Sequence, residues 1–173
     1  IGCCAAMAMP QVHIVPYITD LGYAAAHGTL MLSCMLGFGV VSRLISGWLS
    51  DRIGGMRTLL LGSLLQALVL TAFLTTDTLT GLYVLSIAFG LSQGGIVPSY
   101  AIIIRAFFPA QEAGWRIGTA LFFTIIGMAL GGWMAGVLYD LTGSYTLSFI
   151  NAIAFNIMNM AIAIMLLKRA NHK

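Results

Sequence analysis

Apolar residues run along this chain in blocks of membrane-span length, each closed by a short polar turn. Six blocks can be drawn, at 1–18, 28–49, 58–75, 79–107, 117–139 and 146–167. A helix that crosses the hydrocarbon core needs roughly 20 mostly apolar residues. The first block is the most interrupted, since Pro10 and Pro16 break it and Gln11 and His13 put polar groups inside it. The fourth carries Gly94, Gly95 and Pro98 in its middle. Connections at 19–27, 50–57, 76–78, 109–116 and 140–145 are short, which forces neighbouring spans to be antiparallel. The pattern predicts an all-α membrane protein in which residues 1–173 form one bundle of six transmembrane helices.

Composition agrees with this. Of 173 residues, 60% are hydrophobic and 8% charged, with a mean hydropathy of +0.97, whereas water-soluble domains hold roughly a quarter charged residues. The lipid bilayer is therefore the expected surrounding. Six antiparallel spans put Arg52, Arg57, Arg105, Arg116, Lys168, Arg169 and Lys173 on one face, and Asp20, Asp77 and Asp140 on the other. The positive-inside rule makes the basic face cytoplasmic, so both termini are expected inside a plasma (inner) membrane. The formal charge of +3 is spread thinly along membrane edges, unlike the clustered basic surface that binds nucleic acid. Cys3, Cys4 and Cys34 show no CxxC or Cys/His spacing, and no metal or cofactor is expected. Neither an HExxH motif nor paired carboxylates within a span point to an enzyme.

One cation breaks the charge pattern. Arg43 lies inside the second apolar block, where a guanidinium costs roughly 2.5–3.5 kcal/mol even on the lenient insertion scale. Such a residue usually faces a water-filled cavity or a partner, and an anion-binding role is expected here; snorkelling to the membrane edge is the rival reading. His13 is a weaker candidate for lining the same cavity or carrying protons. All five carboxylates, Asp20, Asp51, Asp77, Glu112 and Asp140, fall at span ends or turns, leaving His13 as the embedded titratable group. Gln66, Gln93, Asn151, Asn156 and Asn159 are read as interhelical hydrogen bonders. Gly127 and Gly131, like Gly132 and Gly136, repeat at four-residue spacing and predict close helix packing. Gly94 to Pro98 is expected to pack closely or to bend.

The turn after the second block carries a family likeness. Gly47-Trp48-Leu49-Ser50-Asp51-Arg52-Ile53-Gly54-Gly55-Met56-Arg57 resembles the G-x-L-x-D-R-x-G-R-(R/K) loop of the major facilitator superfamily, with Gly55 in place of the first basic residue after Gly54. In that family the loop joins the second and third helices of each six-helix half. Gly136 to Tyr145, followed by Phe149, is similar to the outer turn between the family's last two helices, and Phe107-Phe108-Pro109 ends the fourth span. The resemblance covers essentially the whole chain. It implies a C-terminal half, helices seven to twelve, whose partner is a missing N-terminal six-helix half; a chain that starts at Ile1 without polar flanks agrees with such a fragment.

Within the superfamily, the monocarboxylate transporter and oxalate/formate antiporter group is similar in having an arginine four residues before the glycine that leads into the loop, as Arg43 precedes Gly47. The resemblance implies that Arg43 contacts a substrate carboxylate; Gly47, Asp51, Arg52, Gly54 and Arg57 are read as a cytoplasmic latch, in which Asp51 meets neighbouring basic groups or a helix N-terminus and favours one packing of the bundle. Gly39 stands where monocarboxylate transporters often have an aspartate, and the fifth span has no interior basic residue. The expectation is thus alternating-access transport of a small organic anion, a mono- or dicarboxylate, as symport, antiport or facilitated diffusion. Two alternatives stand beside it: a half-size carrier working as a homodimer, and a carrier of another solute in which Arg43 is structural.

Overall fold

The computed structural model describes residues 1–171, with side chains to 169. Seven helices follow in chain order: α1 (Gly2–Asp20), α2 (Ala25–Ile53), α3 (Gly55–Phe73), α4 (Leu79–Gln93), α5 (Ile96–Phe107), α6 (Ala110–Thr142) and α7 (Thr146–Asn171). Five lengths are long and apolar enough to cross a membrane: α2, α3, the run Leu79–Phe107 that α4 and α5 make together, α6, and Thr146–Arg169 of α7. The helix α1 is not among them. Its prolines nevertheless leave it unbroken, with Pro10 and Pro16 both inside it, as neighbouring helices in a bundle allow.

Helix ends differ from the expected turns for a common reason. Polar residues mark where a span leaves hydrocarbon, and a helix can continue past that point. Thus Ser50, Asp51 and Arg52 belong to α2, and the α2–α3 corner shrinks to Gly54, whose φ of 87° suits glycine. Likewise α6 starts at Ala110, and its first turns hold the Glu112–Arg116 ion pair at 2.6 Å. It ends at Gly143, a left-handed cap at φ 67° whose N–H donates to the Tyr139 carbonyl.

Two faces carry several glycines each, and Gly28 adds a single close contact of α2 with Val15 of α1. A Cβ on Gly127 would stand 2.6 Å from the Ile1 carbonyl oxygen, and one on Gly131 would strike the Ala5 carbonyl. Gly136, further along α6, lies against His13, so α1 and α6 run parallel with backbones in contact. The second face joins α2 to α4. A Cβ on Gly90 would strike the Met35 carbonyl, on Gly94 the Gly39 carbonyl, and on Gly95 the Ser46 hydroxyl. Ser42 adds a hydrogen bond from its hydroxyl to the Leu91 carbonyl at 2.5 Å. The break between α4 and α5 falls at Gly94 and Gly95, and Pro98 sits in the first turn of α5, where a missing N–H is tolerated.

Two buried clusters fill the bundle. One gathers Ile14, Ile18, Leu70, Phe73, Leu82, Tyr145 and Phe149, at the end that holds Asp20 and Asp77. The other gathers Cys3, Cys4, Leu59, Ile96 and Ala163 with Met56 and Ile103, toward the ends of α2, α5 and α7 that carry Arg52, Arg105, Lys168 and Arg169. Lys173 lies outside the described residues. Between α3 and α7, the Asn156 amide donates to the Ser63 carbonyl at 3.0 Å and to Gln66 Oε1 at 3.2 Å, and Asn159 donates to the Ser63 hydroxyl at 3.3 Å.

These contacts separate glycines that pack from glycines that do not. Gly94→Val is expected to lower the thermal stability of the detergent-purified protein by at least about 1–3 kcal/mol, because backbone cannot move aside. Gly37→Ala, which meets nothing within 4 Å, is expected to be neutral or to stabilise by about 0.4–1 kcal/mol. Equal melting temperatures for the two variants would refute the close-approach geometry.

Candidate functional site

The mutual approach of α1, α2, α4 and α6 leaves a hollow of about 280 Å³ between them. Helix α1 lends Met7 and Gln11, and α2 lends Met35, Leu36, Gly39 and Arg43. Gln93, Gly94 and Val97 come from the α4–α5 break, Thr124 and Met128 from α6. Its size lies near the lower end of small-molecule sites, roughly 300 Å³ and upward. The placement of Arg43 follows from helix geometry. Gly39, Ser42 and Ser46 face the α4–α5 break across the close contact, and Arg43, one residue round from Ser42, points off that contact line into the hollow.

Arg43 is exposed to this hollow, and among the described residues it has neither an ion pair nor a hydrogen bond. It is also the one charged residue lining the space. The remaining polar groups are two amides and a hydroxyl. The Gln11 amide donates to Gln93 Oε1 at 3.1 Å, joining α1 to α4. The Thr124 hydroxyl is turned back onto the Leu121 carbonyl at 2.6 Å. Three methionines supply a soft, adaptable apolar wall. An unpaired guanidinium in such surroundings favours a planar anion held by two parallel hydrogen bonds.

His13 is placed elsewhere, although only two residues separate it from Gln11. Two residues on a helix turn the side chain by about 200°, so His13 points at α6. Its Nε2 stands 2.9 Å from the Gly132 carbonyl oxygen and its Nδ1 3.4 Å from the Tyr145 hydroxyl. A carbonyl can only accept, so Nε2 carries the proton and Nδ1 receives the tyrosine's. Burial, with Asp20 and then Tyr139 and Asp140 nearby, pushes the Tyr145 hydroxyl up to about 12, which keeps it a donor at physiological pH. The structure does not bring His13 to the hollow of Arg43.

The α2–α3 corner is a third location. Arg52 stacks on the Trp48 ring at 4.3 Å, while Asp51 and Arg57 make no ion pair among the described residues. Gly54 closes the corner by accepting from the Thr58 N–H and hydroxyl, both at 3.1 Å. Gly47 faces open space. A further cavity of about 190 Å³ opens at the opposite end of the bundle, lined by Tyr17, Asp20, Asp77 and Tyr145; its carboxylates disfavour an anion. Gln11 as a lining residue was missed in the sequence, because only the fold shows that it meets a residue 82 positions away.

Comparison with known proteins defines the class. All of residues 1–173 match the Major Facilitator Superfamily, and the chain belongs to it. It is 31% identical over 160 residues to monocarboxylate transporter 13 of Bos taurus, which covers 91% of this chain and 38% of that protein. The rat protein of the same name gives 31% identity, with 91% and 37% covered. The gentisate transporter of Corynebacterium glutamicum is 28% identical over 118 residues, covering 68% of this chain and 26% of its own length. The chain thus spans less than two-fifths of these relatives. It is an integral membrane protein of a transporter family.

The contacts of His13 generate a prediction. His13→Phe keeps the ring and removes both hydrogen bonds, and is expected to cost about 0.5–1.5 kcal/mol of stability, read as a lower melting temperature. A rise in the substrate KM with unchanged melting would instead assign His13 to the transport route.

Proposed function

We propose that this chain is the C-terminal six-helix half of a carrier that moves a small organic anion by alternating access, with Arg43 holding the substrate's carboxylate. The observation that carries the reading is the unpaired Arg43 guanidinium in a hollow otherwise lined by apolar and uncharged residues. Support comes from relatives named for monocarboxylate and gentisate transport and from their greater length. In this reading α1 is the sixth crossing, and a second, N-terminal half closes the hollow from the other side. The two halves then rock about a midplane site. An anion that neutralises Arg43 removes the cost of enclosing a bare cation, so closing becomes easier when the site is filled.

The same reading puts the Arg52, Arg57, Arg105 and Arg169 end at the cytoplasmic side of the plasma membrane, following the positive-inside rule. Gly47, Asp51, Arg52, Gly54 and Arg57 then form the inner latch. The charges of Asp51 and Arg57, unpaired within the described residues, are available to the facing half and favour one packing of the bundle.

In the intact transporter, Arg43→Ala and Arg43→Lys are expected to reduce carboxylate uptake into proteoliposomes to background, a loss of about 100-fold or more, with membrane insertion retained. Lysine keeps the charge but lacks the planar fork. Normal uptake by both variants would end the assignment. For the latch, Asp51→Asn is expected to slow turnover about fivefold or more, the lower range of such couplings, at an unchanged KM. A raised KM at normal turnover would place Asp51 in binding instead.

A further inference from the structure

Two buried thiols take no part in the anion site. Cys3 and Cys4 are neighbours in the first turn of α1, and both are fully buried. Adjacent side chains on a helix diverge by about 100°, yet the two Sγ atoms stand 3.7 Å apart. Cys3 Sγ is hydrogen-bonded to the hydroxyl of Tyr100 on α5. Met7, four residues from Cys3 and three from Cys4, lies on the same face of α1 and in the same buried cluster, against which Met56 and Met128 also pack. Since Met7, Val97 and Met128 line the hollow of Arg43 as well, the thiols sit directly behind its wall. Their spacing disfavours a disulfide, because adjacent Cα atoms are about 3.8 Å apart and a disulfide spans roughly 4.4–6.8 Å. A metal ion bonded tetrahedrally to sulfur at roughly 2.3 Å holds two sulfurs about 3.8 Å apart, close to the separation seen here.

We infer that Cys3 and Cys4 form a binding site for a thiophilic divalent cation, with Met7 as a further sulfur ligand and Tyr100 as a positioning residue. Binding forms two metal–thiolate bonds and breaks two S–H bonds; both protons leave to solvent and no electron changes hands. Two thiolates cancel the charge of a divalent ion. The filled site is therefore neutral, as suits a cluster of apolar and sulfur side chains in which a bare charge would be costly. Thiolate and thioether sulfur select soft metals over Mg2+ or Ca2+. The Tyr100 O–H donates to the Cys3 thiolate, an outer contact of the kind that orients a ligand, and it links the start of α1 to α5 through the site. Among the described residues no group of three or more His, Cys, Asp or Glu side chains could hold a metal ion, so the thiol pair completes its set only through methionine sulfur. Cys34, on α2, lies outside this cluster.

The intact transporter, purified in detergent, is titrated with Cd2+. The expected result is an ultraviolet thiolate-to-cadmium charge-transfer band, release of both thiol protons per bound ion, and a raised melting temperature. A component of one Cd2+ per protein is expected to be lost in Cys3→Ala and again in Cys4→Ala, and to be kept in Cys34→Ala. Tyr100→Phe is expected to keep the band but to weaken Cd2+ binding about 10-fold or more, the range for loss of an outer contact. An unchanged affinity in that variant would remove Tyr100 from the site. If an alanine variant fails to fold, the anomalous scattering of Cd2+ in crystals of the unaltered protein locates the ion directly, and it is expected between the two sulfurs. No band, a band equal in the Cys3 and Cys4 variants, or anomalous density away from these sulfurs would overturn the inference.

Discussion

Backbone touching backbone at glycine is the constraint on which this bundle depends. In a bilayer the lipid tails are as apolar as leucine, so helices gain little from hiding apolar side chains and rely on close packing and interhelical polar contacts. Gly90 and Gly94 bring α4 against the carbonyls of α2, and Gly127 and Gly131 bring α6 against those of α1. Each contact joins two helices that run the same way. The hollow lies where these two tight pairs face each other across Gln11 and Gln93. The glycines that look purely structural therefore place the polar groups of the site.

Electrostatics then divides the molecule by height. Asp20, Asp77 and Asp140 stay at one end and most basic residues, with Asp51 and Glu112 among them, at the other, in keeping with the cost of charge in hydrocarbon. One guanidinium is retained between them, and it is offered neither a carboxylate nor a carbonyl by the described chain. The contrast with Arg116 is instructive: that side chain is paired with Glu112 and stacked over Phe108 at 4.0 Å. In the proposed reading, an unpaired Arg43 beside uncharged amides carries a cost that an incoming anion offsets.

Much of this architecture was legible in the chain. Apolar blocks located every long helix, the Gly127 and Gly131 spacing announced a close contact, and Arg43 stood out as a charge in the interior of a block, whereas Arg105 lies two residues from the end of its own. Helix ends were less legible, since Ser50 to Arg52 are polar for reasons of membrane depth and still helical. Pro10 and Pro16 suggested a broken first segment, yet α1 is continuous and has Cys3, Cys4 and Ala6 wholly buried. Pairings between distant segments were hidden altogether. Nothing local tells Gln11 that it will meet Gln93, or sends His13 to the Gly132 carbonyl instead.

The divergence of Gln11 and His13 shows how one helix can serve two duties. About 200° of rotation puts the amide toward α4 and the imidazole toward α6, so a single short stretch of α1 both lines the hollow and ties α1 to α6 and Tyr145. Any movement of α1 that widens the hollow must therefore strain the His13 contacts with Gly132 and Tyr145, or carry α6 along with it. At Gly127 and Gly131 α1 and α6 are in backbone contact as well. Helix α1 is also held to α2, where a Cβ on Gly28 would stand 2.7 Å from Val15 Cα, whereas α1 and α4 are bridged by side-chain amides. The hollow is thus bordered by backbone contacts where α1 meets α6 and α2 and where α2 meets α4, and by hydrogen-bonded side chains where α1 faces α4.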